Sequence, residues 1–400
     1  MINYLNKQFP LTISMWDFSW LLASHPAGHF EDLEKRVEEA AIRGYNTLRI
    51  DCFPSHLVKE KAVFSKNWNL GSDLPRWGQV GRDFECNPLD HLTLLAELCR
   101  KHGIWLGLDS WDTTHMVGHN QIIESQEEEQ TCRHIAQNWV KAIRLMREAG
   151  ILERAVWIAP MNEVPYFITR KLRSSILLND RIRYEGETTI DSTIEMEEIH
   201  KRFNHWIGEA IKEEIRTDGI PLSYSSLGAE KYANRLTDIY DVVDVHFMPS
   251  VIMEEWDQNA FEHKAGKGAS GFSNFSQLNG YNLQEYSNVW NETCRKHYGR
   301  MLTRVREYHE TALAHLTLES GKHLCPIITE SFGPCYFPDA PDVDWKWYKN
   351  YNADAAKLVA HLPFAGTTLS NYAEPIFSLW EDEDWHRNTN IFIRSLDSCN

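Results

Sequence analysis

The stretch TLRIDCF, residues 47–53, combines the alternation of a β-strand with two charges that a buried strand rarely carries. One set of alternate positions is apolar and comprises Leu48, Ile50 and Cys52. Arg49 and Asp51 therefore fall on the opposite face of the strand. If the apolar set packs against helices, the charged pair faces the interior of a closed sheet. Because isolated buried charges are costly, Arg49 and Asp51 either form a buried ion pair that only fills the barrel or belong to a larger polar site.

Similar short apolar runs recur along the chain and alternate with longer amphipathic stretches. We predict eight strands, at residues 11–16, 47–53, 104–109, 156–161, 222–227, 242–247, 326–330 and 366–372. Several intervening helices are followed by a glycine (Gly44, Gly103, Gly150), as expected just past a helix end. Eight alternating units favour an α/β fold of the (β/α)8 TIM barrel type. A doubly wound sheet is the alternative, but the chain lacks its G-x-G-x-x-G turn.

No linker or internal repeat divides the chain, so we predict a single domain over residues 1–400. Two long insertions stand out: residues 164–194 follow the fourth predicted strand, and residues 248–293 follow the sixth. Both fall on the face of the barrel where active sites are built. Long loops on that face commonly shape access to a substrate.

The charge balance is 41 basic against 57 acidic residues, a net charge of −16, which argues against nucleic acid or an anionic membrane as a partner. No apolar run is long enough to span a membrane, and the amino terminus lacks the pattern of a secretory signal. The eight cysteines show no C-x-x-C spacing and suggest reduced core thiols. We therefore predict a cytoplasmic protein. The oligomeric state stays open, and a homo-oligomer is allowed.

Polar residues end several of the predicted strands, at the edge where the active site of a barrel would lie. Asn162 and Glu163 follow the fourth strand, Asp109 ends the third, and Glu330 ends the seventh. Taken singly, each has an ordinary structural explanation, such as an ion pair or a strand exit. Their occurrence together predicts a functional site.

Alternation within two strands refines this prediction. In VVDVHF, residues 242–247, alternation places Val243, Val245 and Phe247 against the helices and leaves Asp244 and His246 on the interior side. A satisfied core histidine is the competing interpretation. In PIITE, Glu330 shares a side with Ile328 and is expected to face inward with it.

These motifs resemble those of the retaining glycoside hydrolases of clan A, most closely cellulase-like proteins related to glycoside hydrolase family 5. GYNTLRI resembles the second-strand motif with its arginine, Arg49, and DVVDVHFM resembles the sixth strand with its histidine, His246. APMNEV resembles the fourth-strand motif, which implies that Glu163 is the acid/base and that Asn162 binds the sugar 2-hydroxyl. PIITESFG is similar to the motif that ends in the nucleophile, which would be Glu330.

The chain also departs from the family pattern. Val164 stands between the acid/base and the usual proline, Met248 replaces a tyrosine, and the usual third-strand histidine has only the displaced His115 as a counterpart. Asp109 is kept as a substrate-binding candidate. Trp380 is the candidate for the tryptophan expected after the eighth strand. The candidates for stacking on a sugar ring are Trp16, Trp111 and Trp380.

The resemblance implies a retaining β-glycosidase that hydrolyses small β-glycosides or oligosaccharides with two glutamates and needs no metal or organic cofactor. The alternative is a catalytically inactive, cellulase-like barrel that binds carbohydrate. A third hypothesis is a metal-dependent barrel enzyme that uses His115 and His119, but these flank Gly118 without a helical pattern. The sugar, the linkage and the choice between exo and endo cleavage stay open.

Overall fold

The computed structural model describes residues 10–66, 80–111, 127–163, 190–226, 231–247, 283–333 and 346–396. Its architecture is a (β/α)8 barrel. The barrel strands are β1 (Leu11–Asp17), β2 (Thr47–Asp51), β5 (Trp105–Asp109), β6 (Ala155–Ile158), β7 (Ser223–Ser226), β8 (Val242–Val245), β9 (Cys325–Ile327) and β10 (Gly366–Thr368). Two further strands, β3 (Ala62–Phe64) and β4 (Phe84–Cys86), pair antiparallel outside the barrel.

The barrel is assembled from two parallel sheets, with strand orders β10-β1-β2-β5-β6 and β7-β8-β9. Isolated parallel bridges join the sheets at both seams, between Ile158 and Leu222 and between Ile328 and Thr367. Each of the eight predicted strands is confirmed, and several end earlier than predicted. The small β3–β4 pair was not predicted because its three-residue strands are too short to show an alternation.

The helices are α1 (Ser19–Leu22), α2 (Leu33–Ile42), α3 (Pro54–Leu57), α4 (Pro88–His102), α5 (Glu128–Glu148), α6 (Ile190–Glu214), α7 (Tyr232–Arg235), α8 (Leu283–Ala314), α9 (Lys346–Ala360) and α10 (Glu383–Ser395). Local sequence sets their ends. The Asn87 side chain accepts from the amide of Leu89 at the start of α4, and Gly103 ends that helix with a φ of 71°. Gly44 and Gly150 also have positive φ, so the predicted glycine ends are confirmed.

The predictions of which strand residues face the helices and which face the barrel interior are largely confirmed. Leu48, Ile50 and Cys52 pack in the main core between strands and helices, and so do Val243, Val245 and Phe247. A second, smaller apolar cluster contains residues of four barrel strands or their ends: Leu11, Ile13, Val156, Trp157, Ala159, Val242 and Ile327. We take this cluster as the apolar floor of the barrel. The charged residues occupy the mouth above it.

The prediction that Glu330 and Ile328 face the barrel interior from the same side of their strand was wrong. Ile327 packs in the floor cluster and Ile328 in the outer core, so Glu330 does not share a side with an inward-facing Ile328. Strict alternation fails because β9 ends at Ile327. Beyond it the chain leaves strand geometry, and Phe332 has a φ of 69°. Glu330 reaches the mouth through this irregular segment.

Most of the two predicted insertions falls outside the described residues, and the described chain resumes with α6 and α8. None of the helices in the described ranges is long and apolar enough to cross a membrane. Cys52, Cys86, Cys99, Cys132 and Cys325 are free thiols, and the first, third and fourth of these are buried.

The contact between Gly107 of β5 and Trp157 of β6 gives a test of the barrel floor. An added Cβ at Gly107 would lie 2.0 Å from Cζ2 of Trp157. We expect Gly107→Ala to lower the free energy of unfolding by about 1–3 kcal/mol, because the indole ring has no free volume into which to move. Chemical denaturation followed by circular dichroism measures the change.

Two variants make this test specific. Gly299 is exposed in α8 and an added Cβ there meets nothing within 4 Å, so Gly299→Ala is expected to be neutral or mildly stabilising. In a Trp157→Phe background the penalty of Gly107→Ala is expected to shrink. An equal penalty in both backgrounds would show that the indole ring does not fill this space.

Candidate functional site

Arg49 lies at the centre of the barrel mouth, and its side chain is fully buried. Its Nε donates to Oδ2 of Asp109 at 2.8 Å, and its Nη1 donates to Oε2 of Glu330 at 2.9 Å. Nη2 donates to Oδ1 of Asn162 at 2.5 Å, and Oδ1 of Asp17 lies 3.5 Å from Nε. One guanidinium therefore ties together residues from β1, β2, β5 and the segments after β6 and β9.

Glu163 and Glu330 face each other beside this arginine, with His246 between them. His246 Nδ1 lies 2.8 Å from Oε1 of Glu163 and 3.8 Å from Oε2 of Glu330. Ligand atoms of the three side chains all lie within 4.8 Å of one another. Both glutamates remain slightly exposed, Glu163 at 6% and Glu330 at 5%. The mouth thus holds two carboxyl groups at the short separation typical of a cooperating pair.

The orientation of Asn162 is fixed by two donors. Its Oδ1 accepts from Arg49 and also from the hydroxyl of Ser225 at 2.7 Å. Since the guanidinium can only donate, the amide oxygen must face Arg49 and the Nδ2 group must point away from it. Nδ2 is buried and has no hydrogen-bond partner among the described residues. A donor is therefore held ready for a ligand.

Three residues at the mouth of the barrel have a strained backbone conformation. Glu163, Asp17 and Phe332 have positive φ values of 43°, 35° and 69°, in a region that residues with a Cβ seldom adopt. Each such conformation costs on the order of 1–3 kcal/mol and persists where the surroundings enforce it. The amide of Glu163 donates to the hydroxyl of Ser225 at 3.1 Å, which helps to hold the strained turn. Strain of this kind is typical of functional sites.

Burial and neighbouring charges perturb the acids. Burial, and then the negative charge of Glu163, raise the pKa of Glu330 to about 7, although His246 and Arg49 oppose the rise. Burial also raises the pKa of Asp109 to about 6 despite Arg49. The guanidinium alone therefore does not keep Glu330 fully ionised at neutral pH.

His246 is held in its charged form by Asp244. Although burial opposes it, the charge of Asp244 raises the pKa of His246 well above its usual value. Asp244 Oδ2 lies 3.0 Å from Nε2 of His246, and Oδ1 accepts from the amide of Thr329 at 2.8 Å. The imidazolium consequently donates through both nitrogens, to Asp244 on one side and to Glu163 on the other.

The Glu163, His246 and Glu330 cluster has the composition and spacing of a metal site. A metal would need the lone pair of His246 Nδ1, whereas the raised pKa keeps a proton there. Arg49 also already contacts Glu330. The arrangement suits a proton shared among polar groups better than a bound cation. The sequence-based metal candidates His115 and His119 lie outside the described residues.

The predicted aromatic residues divide into two groups. Trp111 is 4% exposed, and its ring lies 5.7 Å from the guanidinium carbon of Arg49, at the mouth. Trp380 is fully buried, with Tyr45 stacked on it at 6.0 Å and the Arg43 guanidinium at 4.7 Å. Its ring thus has partners outside the mouth, and the structure does not bring it to the site.

Trp16 is likewise fully buried and packs edge-on against Phe30 and Trp380. The β1 strand has an irregularity between Met15 and Asp17. Asp17, which follows Trp16, points into the mouth instead. The structure therefore does not bring Trp16 to the cluster either.

Sequence reasoning missed two residues of the cluster. Asp17 ends β1, so the strand-end rule that identified Asp109 would have found it if the first strand had been extended by one residue. Ser225 carries no such signal, because serine in a strand is ordinary. Asp51 faces the mouth as predicted, but it accepts from the amides of Phe53 and Trp111 rather than pairing directly with Arg49.

Comparisons with known proteins agree with this geometry. The profile of a cellulase-like family, described as sugar-binding cellulase-like, matches residues 13–394. A solved structure of a putative glycoside hydrolase from Parabacteroides distasonis ATCC 8503 is 20% identical with a TM-score of 0.71, and the match covers 97% of this chain and 94% of that one.

A GH5-4 broad specificity endoglucanase from an uncultured bacterium is similar in fold, with 10% identity and a TM-score of 0.51. That match covers 96% of this chain and 94% of the endoglucanase. No curated protein matches the chain. With a family match over nearly its whole length and a (β/α)8 barrel fold, the chain belongs to the cellulase-like family.

Proposed function

We propose that this protein is a single-domain retaining β-glycosidase that hydrolyses small β-glycosides or oligosaccharides by double displacement. The observation that carries the proposal is the pair Glu163 and Glu330, whose carboxyl oxygens lie within 4.8 Å at the barrel mouth. Retaining enzymes place their two carboxyl groups about 5–5.5 Å apart, and inverting enzymes about 6.5–9.5 Å apart. The short separation favours direct attack by one carboxylate over activation of a water between the two.

Glu330 is the proposed nucleophile. Its Oε2 is held by Arg49 Nη1 at 2.9 Å, which fixes the carboxylate and favours its ionised form. In the first step an oxygen of Glu330 forms a bond to the anomeric carbon while the bond to the leaving oxygen breaks. The product is a glycosyl ester of Glu330, with the charge of the carboxylate consumed.

Glu163 is the proposed acid and base. It donates a proton to the leaving oxygen in the first step and removes one from the attacking water in the second. Its hydrogen bond from the His246 imidazolium, 2.8 Å long, orients the carboxyl and stabilises the carboxylate left after proton donation. Productive substrate binding requires a proton on Glu163 and a negative charge on Glu330.

Asn162 and Trp111 are the proposed contacts to the sugar. The unpartnered Nδ2 of Asn162 lies next to the catalytic pair and can donate to the 2-hydroxyl, a bond that strengthens as the transition state develops. The Trp111 ring offers an apolar surface at the mouth. These two contacts to the sugar involve no metal and no organic cofactor.

An inactive carbohydrate-binding barrel is the second candidate. The description of the family as sugar-binding favours it, because that description names binding and no reaction. The two candidates share the site and differ only in turnover. A single set of variants distinguishes them.

We expect the wild-type protein to hydrolyse one member of a panel of aryl β-glycosides: glucoside, mannoside, galactoside, xyloside, fucoside or glucuronide. Glu330→Gln should lower kcat by at least about 10⁴-fold, since no oxygen of sufficient nucleophilicity remains. Release of the aryl alcohol measures the rate. With Glu163→Gln, added azide should restore turnover of a substrate with a good leaving group and yield the β-glycosyl azide.

Glu153→Gln is the matched control, because Glu153 is a surface glutamate whose side chain is 73% exposed. It should leave the rates unchanged. Sugar binding without turnover by the wild-type protein would support the inactive barrel. An α-glycosyl azide as the rescue product would contradict retention.

The raised pKa of Glu330 predicts a pH dependence of activity. Below about pH 7 Glu330 gains a proton and cannot attack, so kcat/KM should rise with pH through a midpoint near 7. The charge of Glu163 is one cause of the raised pKa, so removing it should move the midpoint to lower pH. The first step can be followed in Glu163→Gln as a burst of dinitrophenol, a leaving group that needs no acid.

The pH profile of Glu153→Gln should overlay that of the wild-type protein. An unchanged midpoint in Glu163→Gln would show that burial alone, without the neighbouring carboxylate, sets the pKa of Glu330.

A further inference from the structure

Two buried carboxyl groups adjoin the site and have no part in the proposed mechanism. Asp17 ends β1, and Glu374 lies in the segment after β10. Both residues are fully buried. Neither carboxyl accepts a well-aligned hydrogen bond from a residue that the structure describes, although Arg49 Nε lies 3.5 Å from Asp17 Oδ1 and the Ser19 hydroxyl adjoins Glu374. Folded proteins satisfy the great majority of buried polar atoms, so four unsatisfied oxygens in one region require an explanation.

These carboxyls continue the charged cluster toward β10. Asp17 Oδ1 lies 3.5 Å from Nε of Arg49, which also holds Glu330. The hydroxyl of Ser14 donates to the carbonyl of Ala373 at 2.7 Å and fastens the residue before Glu374 to β1. After burial, the charge of Asp17 raises the pKa of Glu374 well above its usual value, and Ser19 offsets this only in part.

A third unsatisfied group lies on the other side of Arg49. The buried Nδ2 of Asn162 has no partner in the described part of the chain, while its Oδ1 is tied to Nη2. A ligand placed over the guanidinium would meet a donor at Asn162 and acceptors at Asp17. The unsatisfied atoms therefore have the complementary polarity that a polyhydroxylated ring presents.

The order of strands indicates which part of the ring faces these acceptors. Around the barrel, β10 lies next to β9 and β1 and is separated from β6 by three strands in either direction. Glu163 follows β6, so a leaving group protonated by it lies on the β6 side. The opposite end of the sugar then faces β1 and β10. In a pyranose, C4 is the ring atom opposite C1, and C3 is its neighbour.

We infer that Asp17 and Glu374 bind the C3 and C4 hydroxyls of the terminal sugar and thereby select its configuration. This inference rests on the proposed glycosidase function. The substrate class is a glycoside whose terminal pyranose has both hydroxyls free. Sugar hydroxyls suit these carboxyls, because a hydroxyl can donate to a carboxyl oxygen and can also accept from a protonated carboxyl. A terminal sugar substituted at C4 would be excluded, so cleavage would proceed from the non-reducing end.

The experiment compares an aryl glycoside with its 2-deoxy, 3-deoxy and 4-deoxy analogues, in the wild-type protein and in Glu374→Gln and Asp17→Asn. The wild-type protein should discriminate against the 3-deoxy and 4-deoxy analogues by about 10–100-fold in kcat/KM. Each variant should lose most of this discrimination while keeping the discrimination against the 2-deoxy analogue, which Asn162 governs. Unchanged discrimination in both variants would overturn the inference.

Glu39→Gln is the control, because Glu39 already accepts from Trp380 Nε1 at 2.9 Å and lies outside the mouth. It should leave all three ratios unchanged. If one of the two variants, Glu374→Gln or Asp17→Asn, fails to fold, the other is used alone, because either carboxyl tests whether this pair binds the C3 and C4 hydroxyls. Thermal midpoints give an independent readout: a ligand-binding role predicts an unchanged or higher Tm in Glu374→Gln, and a loss of stability with intact discrimination would assign Glu374 to the fold.

Failure of the inference remains distinguishable from failure of the proposed function. If the wild-type protein turns over no aryl glycoside, calorimetry with the methyl glycoside and its 4-deoxy analogue repeats the comparison as binding. Binding that weakens for the 4-deoxy analogue in the wild-type protein, but not in Glu374→Gln, would support the inference and overturn catalysis. Neither turnover nor binding of these sugars would overturn both.

Discussion

The fully buried guanidinium of Arg49 is the interaction on which the mouth of the barrel depends. It contacts Asp109 and Glu330 directly and lies 3.5 Å from Asp17. Carboxyl groups from separate strands would repel one another strongly in a buried interior, and a single planar cation with several donors offsets that repulsion. A lysine could supply the charge but not the simultaneous hydrogen bonds. The position of Arg49 in the middle of β2 therefore determines which strand ends can carry acids.

Among the residues that the structure describes, however, positive charge does not balance negative charge in this site. Two cationic side chains, Arg49 and His246, stand among seven buried or nearly buried acids: Asp17, Asp51, Asp109, Glu163, Asp244, Glu330 and Glu374. The excess explains why burial wins over the guanidinium at Glu330 and Asp109, whose pKa values rise rather than fall. It also sets the chemistry of a ligand. Anions are disfavoured, and a neutral ring rich in hydroxyl donors can satisfy the unpaired oxygens.

The sequence predicted the fold well because strand and helix patterns are local. Eight apolar runs identified the eight barrel strands, and the positions of Arg49 and His246 followed from alternation within β2 and at the end of β8. Asn162, Glu163 and Glu330 came together as the order of strand ends required. Motif similarity added proposed roles that alternation could not supply.

What could not be predicted depends on contacts across the chain. Trp380 looked like a strand-end aromatic, but Tyr45 and Arg43 pack against its ring, and sequence alone does not show that contact. Glu374 follows β10 in an irregular segment where no periodicity assigns a side. Ser225 acts only through its distance to Asn162. Alternation also failed at Glu330, since it holds only while the backbone remains a strand.

The barrel interior therefore has two layers, an apolar floor and a charged mouth above it, and the structure of the mouth depends on the floor. In the floor, Trp157 packs so tightly against Gly107 that no added Cβ fits, which makes that layer rigid. In the mouth, positive φ values at Asp17 and Glu163 and unsatisfied oxygens at Asp17 are kept despite their cost. A mouth of this kind would relax on a soft support, because its residues would turn to find partners. The rigid floor prevents that relaxation and leaves the missing hydrogen bonds to a ligand.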